Sequence, residues 1–188
     1  EGEEQKSLVQ VNWLLNDGPF DQETALAVGF LDNLLMGSPA APLRMALEES
    51  GLGEAIVGWG LEDELRQPTF AIGLKGVASA DVAKVEALIE ATIAQIAKDG
   101  FTQAAIDSSV NTIEFSMREN NTGSFPRGLS LMLRSLSAWL YDGDPVMPLR
   151  FEEPLAQLKA RMASEDVFTP LIKKLLIDNK HCVTIELN

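Results

Sequence analysis

A chain of 188 residues with 46% hydrophobic and 23% charged residues has enough apolar material for one folded core, and too much for a disordered chain. Its formal charge of −13, from 28 acidic and 15 basic residues, repels nucleic-acid phosphates and excludes nucleic acid as a partner; a basic peptide fits better. No run approaches the ~20 apolar residues of a membrane-spanning helix, which excludes a membrane partner of that kind.

The opening residues EGEEQKS are acidic and polar, unlike a signal or transit peptide, and the missing initial methionine suggests a processed or excised segment. In SLVQVNWLL, Val9, Val11, Trp13 and Leu15 alternate onto one face of a strand. Asn16-Asp17-Gly18-Pro19 is a turn signal. A helix follows from about Asp21 to Met36, with Ala25, Val28, Leu31 and Leu35 on one face. A shorter one from Pro42 ends at Gly51.

Two strands come next. Ala55, Val57, Trp59 and Leu61 alternate in the first, and Phe70, Ile72 and Leu74 in the second. The short link from Glu62 to Pro68 cannot make a parallel crossover, so they pair antiparallel. Five helices then follow by apolar spacing. The first carries Val82, Val85, Ile89, Ile93 and Ile96, with Ser79 as a cap and Gly100 at its end. The second carries Ile106, Val110, Ile113 and Met117 behind a Thr102 cap. The third carries Leu129, Met132, Leu133, Leu136 and Leu140, with Ser124 as its cap and Pro126 in its first turn. The fourth carries Phe151, Leu155, Leu158 and Met162, and the fifth Leu171, Ile172, Leu175 and Leu176. Val183, Ile185 and Leu187 alternate in a last strand.

Clustered strands and long helical runs favour an α+β fold over a doubly wound sheet. The expected architecture is a mainly antiparallel sheet with helices packed on one face, in a single domain over residues 1–188.

Chemistry-bearing residues are sparse. A catalytic zinc site takes three side-chain ligands and a water, and this chain has one histidine, His181. His181 and Cys182 are adjacent on a strand and point to opposite faces, so they cannot chelate one ion together. There is no HxxEH-type motif, no G-x-S-x-G elbow and no phosphate-binding glycine loop. The lone cysteine, Cys182, excludes an internal disulfide and points to a reducing compartment. Its apolar, alternating surroundings predict a buried structural thiol. Catalytic and metal residues are therefore assigned to none of the chain.

Two segments remain as candidate sites. The corner RENNTGSFPRG places Arg118, Glu119 and Arg127 around a turn built by Asn121 and Gly123, with Ser124 capping the next helix. This suits helix–helix geometry or docking to another domain. Glu62, Asp63 and Glu64 form an acidic cluster that would face a basic substrate. Solvated surface is the competing reading.

The strings MRENNTGSFPRGLSLMLRSL and YDGDPVMPLRFEEPLAQLK carry a family resemblance, extended by FLDNLLMGSPAAPLRMALEESGLGEAI, PTFAIGLKGV and HCVTIELN. From about Leu8 to Asn188 the chain resembles the presequence proteases of mitochondria and chloroplasts, zinc metallopeptidases of the pitrilysin type, in a plant- or alga-like version. The resemblance implies four related α+β domains in two halves that close around an unfolded peptide, with zinc bound by another domain. This chain looks like the second, non-catalytic domain of the N-terminal half. It implies that the parent hydrolyses cleaved targeting peptides and other short unstructured, basic peptides in the mitochondrial matrix or chloroplast stroma. It also implies that the partners here are the other domains of that protease. The alternatives are a catalytically dead processing-peptidase-like or respiratory-core-like subunit, or an unrelated acidic peptide-binding module.

Overall fold

Alternation in the opening run puts Val9, Val11 and Trp13 on one face of strand β1 (Lys6–Leu14), and all three are buried. The computed structural model describes residues 6–16 and 18–188; the acidic residues 1–5 and Asp17 of the expected turn lie outside the described residues. β2 (Ala55–Glu62), β3 (Thr69–Ala78) and β4 (Cys182–Leu187) complete a four-stranded sheet of order β2-β3-β1-β4, every pair antiparallel. Val9, Val11 and Trp13 stand opposite Leu74, Ile72 and Phe70 of β3, and these six residues floor the core. The Trp13 and Phe70 rings lie 5.9 Å apart between centroids.

The strict alternation expected for β2 does not hold. The ladder with β3 slips between Val57 and Gly60, where Gly58 and Gly60 take φ of 79° and 74°. This bulge resets the phase, so that Ile56 and Leu61 both pack against the core, while Trp59 is thrown out at 89% exposure.

Among the described residues seven α-helices follow the expected periodicities, with shifted ends. α1 (Gln22–Met36) starts at Asp21, whose side chain accepts from the Thr24 N–H. Its buried face is broader than expected, running through Ala27, Phe30 and Leu34, and Ala25 is exposed. α2 is Pro42–Glu49. α3 (Val82–Asp99) buries Val85, Ile89, Ile93 and Ile96 and ends at Gly100, with φ of 70°. Ser79 is not its cap: a 3-10 turn over Ser79–Asp81 intervenes and Asp81 takes the cap position. α4 (Gln103–Glu119) is capped by Thr102 as expected.

α5 (Arg127–Trp139) starts after Pro126, which holds the cap position, so Ser124 is not its cap. α6 is Glu152–Met162. The fifth expected helix is α7 (Phe168–Ile172) running into a π-helical turn over Lys173–Ile177. There the carbonyls leave the helical ladder for side chains: Trp13 Nε1 donates to Leu176 O at 3.0 Å, and Asn179 Nδ2 donates to Leu175 O at 2.9 Å. Asn179 Nδ2 also donates to Leu14 O at 2.8 Å, fastening the end of β1 to this turn.

α1 and α3 lie across the inner face of the sheet. On β4, Val183, Ile185 and Leu187 stand opposite Asn12, Gln10 and Leu8, on the face away from the core, and are exposed. Cys182 is exposed rather than buried, because β4 is an edge strand that the core does not reach. Its thiol pKa is raised by local desolvation, with the nearby Glu90 and Glu86 of α3 adding to the effect. Among the described residues no helix is long and apolar enough to cross a membrane.

Candidate functional site

The corner between α4 and α5 is built from local hydrogen bonds. Asn120 closes α4 in the left-handed region, φ 43° and ψ 47°, and its N–H donates to Ser116 O at 3.0 Å. Asn121 Oδ1 accepts from Gly123 N–H at 3.0 Å, and Gly123 takes φ of 57°. Thr122 Oγ1 donates to Phe125 O at 2.6 Å, and Phe125 N–H returns to Thr122 O at 3.0 Å. Asn121 and Gly123 therefore do the turn work expected of them, and Thr122 closes the turn onto Phe125, while α5 starts after Pro126 with no side-chain cap.

The charges of this corner do not converge. Arg118 turns back along its own helix to Glu114, 2.8 Å away, and Lys159 of α6 reaches the other Glu114 oxygen at 2.8 Å. The Lys159 and Arg118 hydrogen bonds hold the Glu114 carboxyl below its usual pKa. Glu119, Ser124 and Arg127 are exposed. The corner is closed by local hydrogen bonds and carries a few outward charges, while Glu114, further back along α4, ties that helix to Lys159 of α6.

The acidic cluster also divides. Glu62 ends β2, paired with Thr69, and Glu64 lies exposed in the hairpin loop. Asp63 is an exposed residue whose carboxyl is nonetheless crowded by protein. Desolvation raises its pKa and Glu64 adds to the rise, while its own backbone N–H and the Arg134 guanidinium of α5 oppose it. Its charge in turn acts on Asp32 of α1. Asp32 is half-buried, and its Oδ1 accepts from Leu61 N–H at 2.9 Å. Burial pushes its pKa up to about 6; the Leu61 N–H opposes this and Asp63 reinforces it. Gly60 permits the contact, since a Cβ there would lie 2.1 Å from Asp32 Oδ1. Sequence reasoning missed Asp32. Its only signal was a carboxylate set inside the apolar run FLDNLLM.

Among the described residues no three His, Cys, Asp or Glu side chains converge to hold a metal, so the residues present do not fit a zinc site. The His181 carbonyl accepts from Leu14 N–H at 3.0 Å. His181 lines an open cleft of about 310 Å³ with Lys174, Asp178, Asn179 and Lys180. That lining mixes ammonium groups with one carboxylate and offers no ligand triad.

The comparisons with known proteins give the family of the domain. Residues 1–113 match the Peptidase M16 inactive domain. The chain is 59% identical over 185 residues to presequence protease 1, chloroplastic/mitochondrial, of Arabidopsis thaliana, a match covering 97% of this chain and 17% of that protein. It is 32% identical to protein HypA of Clostridium perfringens, over 97% of this chain and 18% of that one. The chain thus spans about one sixth of the length of these curated relatives. Among solved structures, the periplasmic protease PqqL of Escherichia coli superposes with a TM-score of 0.71 at 14% identity, covering 99% of this chain and 19% of that one. The peptidase M16 inactive domain of Pseudomonas fluorescens does so with a TM-score of 0.59 at 19% identity, covering 98% and 40%. At these identities the two structures speak to the fold alone, whereas the sequence matches place the chain plainly in the Peptidase M16 inactive-domain family, as a non-catalytic domain of a protease.

Proposed function

We propose that this domain belongs to a zinc metalloendopeptidase that degrades cleaved targeting presequences and other short unstructured peptides, in the mitochondrial matrix or the chloroplast stroma. The observation that carries the reading is the 59% identity to the Arabidopsis presequence protease along nearly the whole chain. Within such an enzyme the domain holds no zinc. It supplies wall and scaffold for the space that encloses the peptide, and it docks against the other domains of the same polypeptide. The α4–α5 corner, with Glu119 and Arg127 exposed around a hydrogen-bonded turn, suits a docking role. Glu62 and Glu64, exposed beside Asp63, add to a field that attracts basic peptides.

The test compares two proteins with one fluorogenic presequence peptide. The parent polypeptide is expected to cleave it, to lose activity to a chelator and to recover it with zinc. Residues 1–188 alone are expected to leave the peptide intact and to carry no stoichiometric zinc by mass spectrometry. Chelator-sensitive cleavage by the 188-residue chain overturns the non-catalytic role; a parent polypeptide that never cleaves the peptide overturns the substrate class.

A further inference from the structure

Helix α5 has no buried face. Leu129, Met132, Leu133, Leu136 and Leu140 recur at three- and four-residue spacings, the pattern by which one helix face packs on another element. In an isolated domain that face should turn to the core. Here no residue of α5 is buried, and none packs against the core. Leu133 is 50% exposed, Trp139 63% and Met132 48%; Leu136 of the stripe is half-buried, as are Ser130, Ser135 and Ser137. Four of the five stripe residues, Leu129, Met132, Leu133 and Leu140, are thus exposed. Phe115 of α4 and Phe125 of the corner are exposed close by in the chain, at 66% and 45%. The stripe from Leu129 to Leu140 is about 16 Å long at the helical rise. Patches of this kind mark contact surfaces.

Charge decides what fits. α5 has no acidic residue, and its two cations, Arg127 and Arg134, lie near the opposite side of the helix from the leucines at 100° per residue. The stripe is therefore an uncharged, apolar seat with no carboxylate to pair with an Arg-rich peptide. An apolar face of another folded unit fits it. The relatives are roughly six times longer than this chain, so most of a parent polypeptide lies outside residues 1–188. Resting on the reading that such a parent exists, we propose that the α5 stripe is the seat for an apolar face of another domain of the same polypeptide.

Hydroxyl-radical footprinting of the parent polypeptide tests this, with Trp13, buried in the core, as the closed reference and the denatured protein as the open one. Met132 and Trp139 are expected to react several-fold more slowly than in the denatured protein and close to Trp13, at every protein concentration. A photo-crosslinker at Leu133 is expected to give an intrachain product with a peptide from outside residues 1–188. Open labelling of Met132 and Trp139 overturns the proposal. So does protection that vanishes on dilution or an interchain crosslink, which would assign the stripe to a second copy. Protection that arises only when basic peptide is added would assign it to substrate and likewise overturns it. Peptidase activity of the same preparation separates the two ideas: an active protease with an open stripe sinks this inference alone, and an inactive one with a closed stripe sinks only the substrate reading.

Discussion

Burial against β2 makes the ionised form of Asp32 costly. Its pKa rises from 3.8 to about 6, so between those values the folded chain holds a proton that the unfolded chain has lost. The penalty is absent below the lower value, grows as pH rises through the window and is complete above the upper one. At neutral pH it is on the order of 3 kcal/mol at most, from the linkage between pKa and free energy. Asn at this position keeps an oxygen to accept the Leu61 N–H and removes the charge. Asp32→Asn is therefore expected to raise the denaturant midpoint at pH 7.5 and to lose most of that gain at pH 4. Equal shifts at both pH values would mean that the carboxylate is not the strained group. The sequence hid this residue because its partner is 29 positions away and meets it only through the bulge at Gly58 and Gly60. A bulge changes the phase of a strand without changing its composition, so the alternation of β2 predicted Trp59 and Leu61 on one face, and the structure separates them.

Caps show how local signals compete. Thr102 and Ser124 both precede apolar helices, and both satisfy the residue preference for a cap. Thr102 Oγ1 accepts from Ala105 N–H at 3.3 Å. Ser124 has no such role, because Pro126 occupies the cap position with φ −61° and ψ 121°, and the corner is closed by Asn121 and Thr122 instead. Thr102→Ala is expected to cost about 1 kcal/mol, and Ser124→Ala to stay within about 0.5 kcal/mol. Denaturant melts of the two variants beside the parent sequence check this, and a larger loss at Ser124 would restore it as a cap. The periodicity of α5 was legible from Leu129 to Leu140, but its direction was not. A stripe of leucines states that a face avoids water, and it does not state which body covers it. The same limit applies to Cys182: alternation marks a strand there, but the burial expected of the thiol fails because β4 lies at the edge of the sheet.

Across the molecule, the charge of −13 acts at longer range than any single contact. Exposed charges are screened over about 8 Å at physiological salt, so a field of this kind changes peptide capture more than chemistry. Neutralising Glu62, Asp63 and Glu64 together as Gln, Asn and Gln in the parent protease is expected to lower kcat/KM for a basic peptide more than for a neutral one. The difference should shrink as salt is raised. Equal losses for both peptides at low salt would remove the cluster from substrate steering.

The pairing of β1 with β4 has a mechanical consequence. Leu8 stands opposite Leu187, and Ser7 Oγ donates to Asn188 Oδ1 at 2.6 Å, so β1 begins and β4 ends at the same end of one antiparallel pair. The hydrogen bonds of such a pair lie across the strands. Tension applied between Lys6 and Asn188 therefore loads them one at a time, as in opening a zip, and never all together in shear. In single-molecule pulling from these two points, β4 is expected to peel away first at low force, before the helical layer yields. A high-force rupture in one step would contradict that geometry. Strain transmitted along the backbone thus reaches the rim of the sheet first, and the interior behind Val9 and Val11 is spared until the rim has opened.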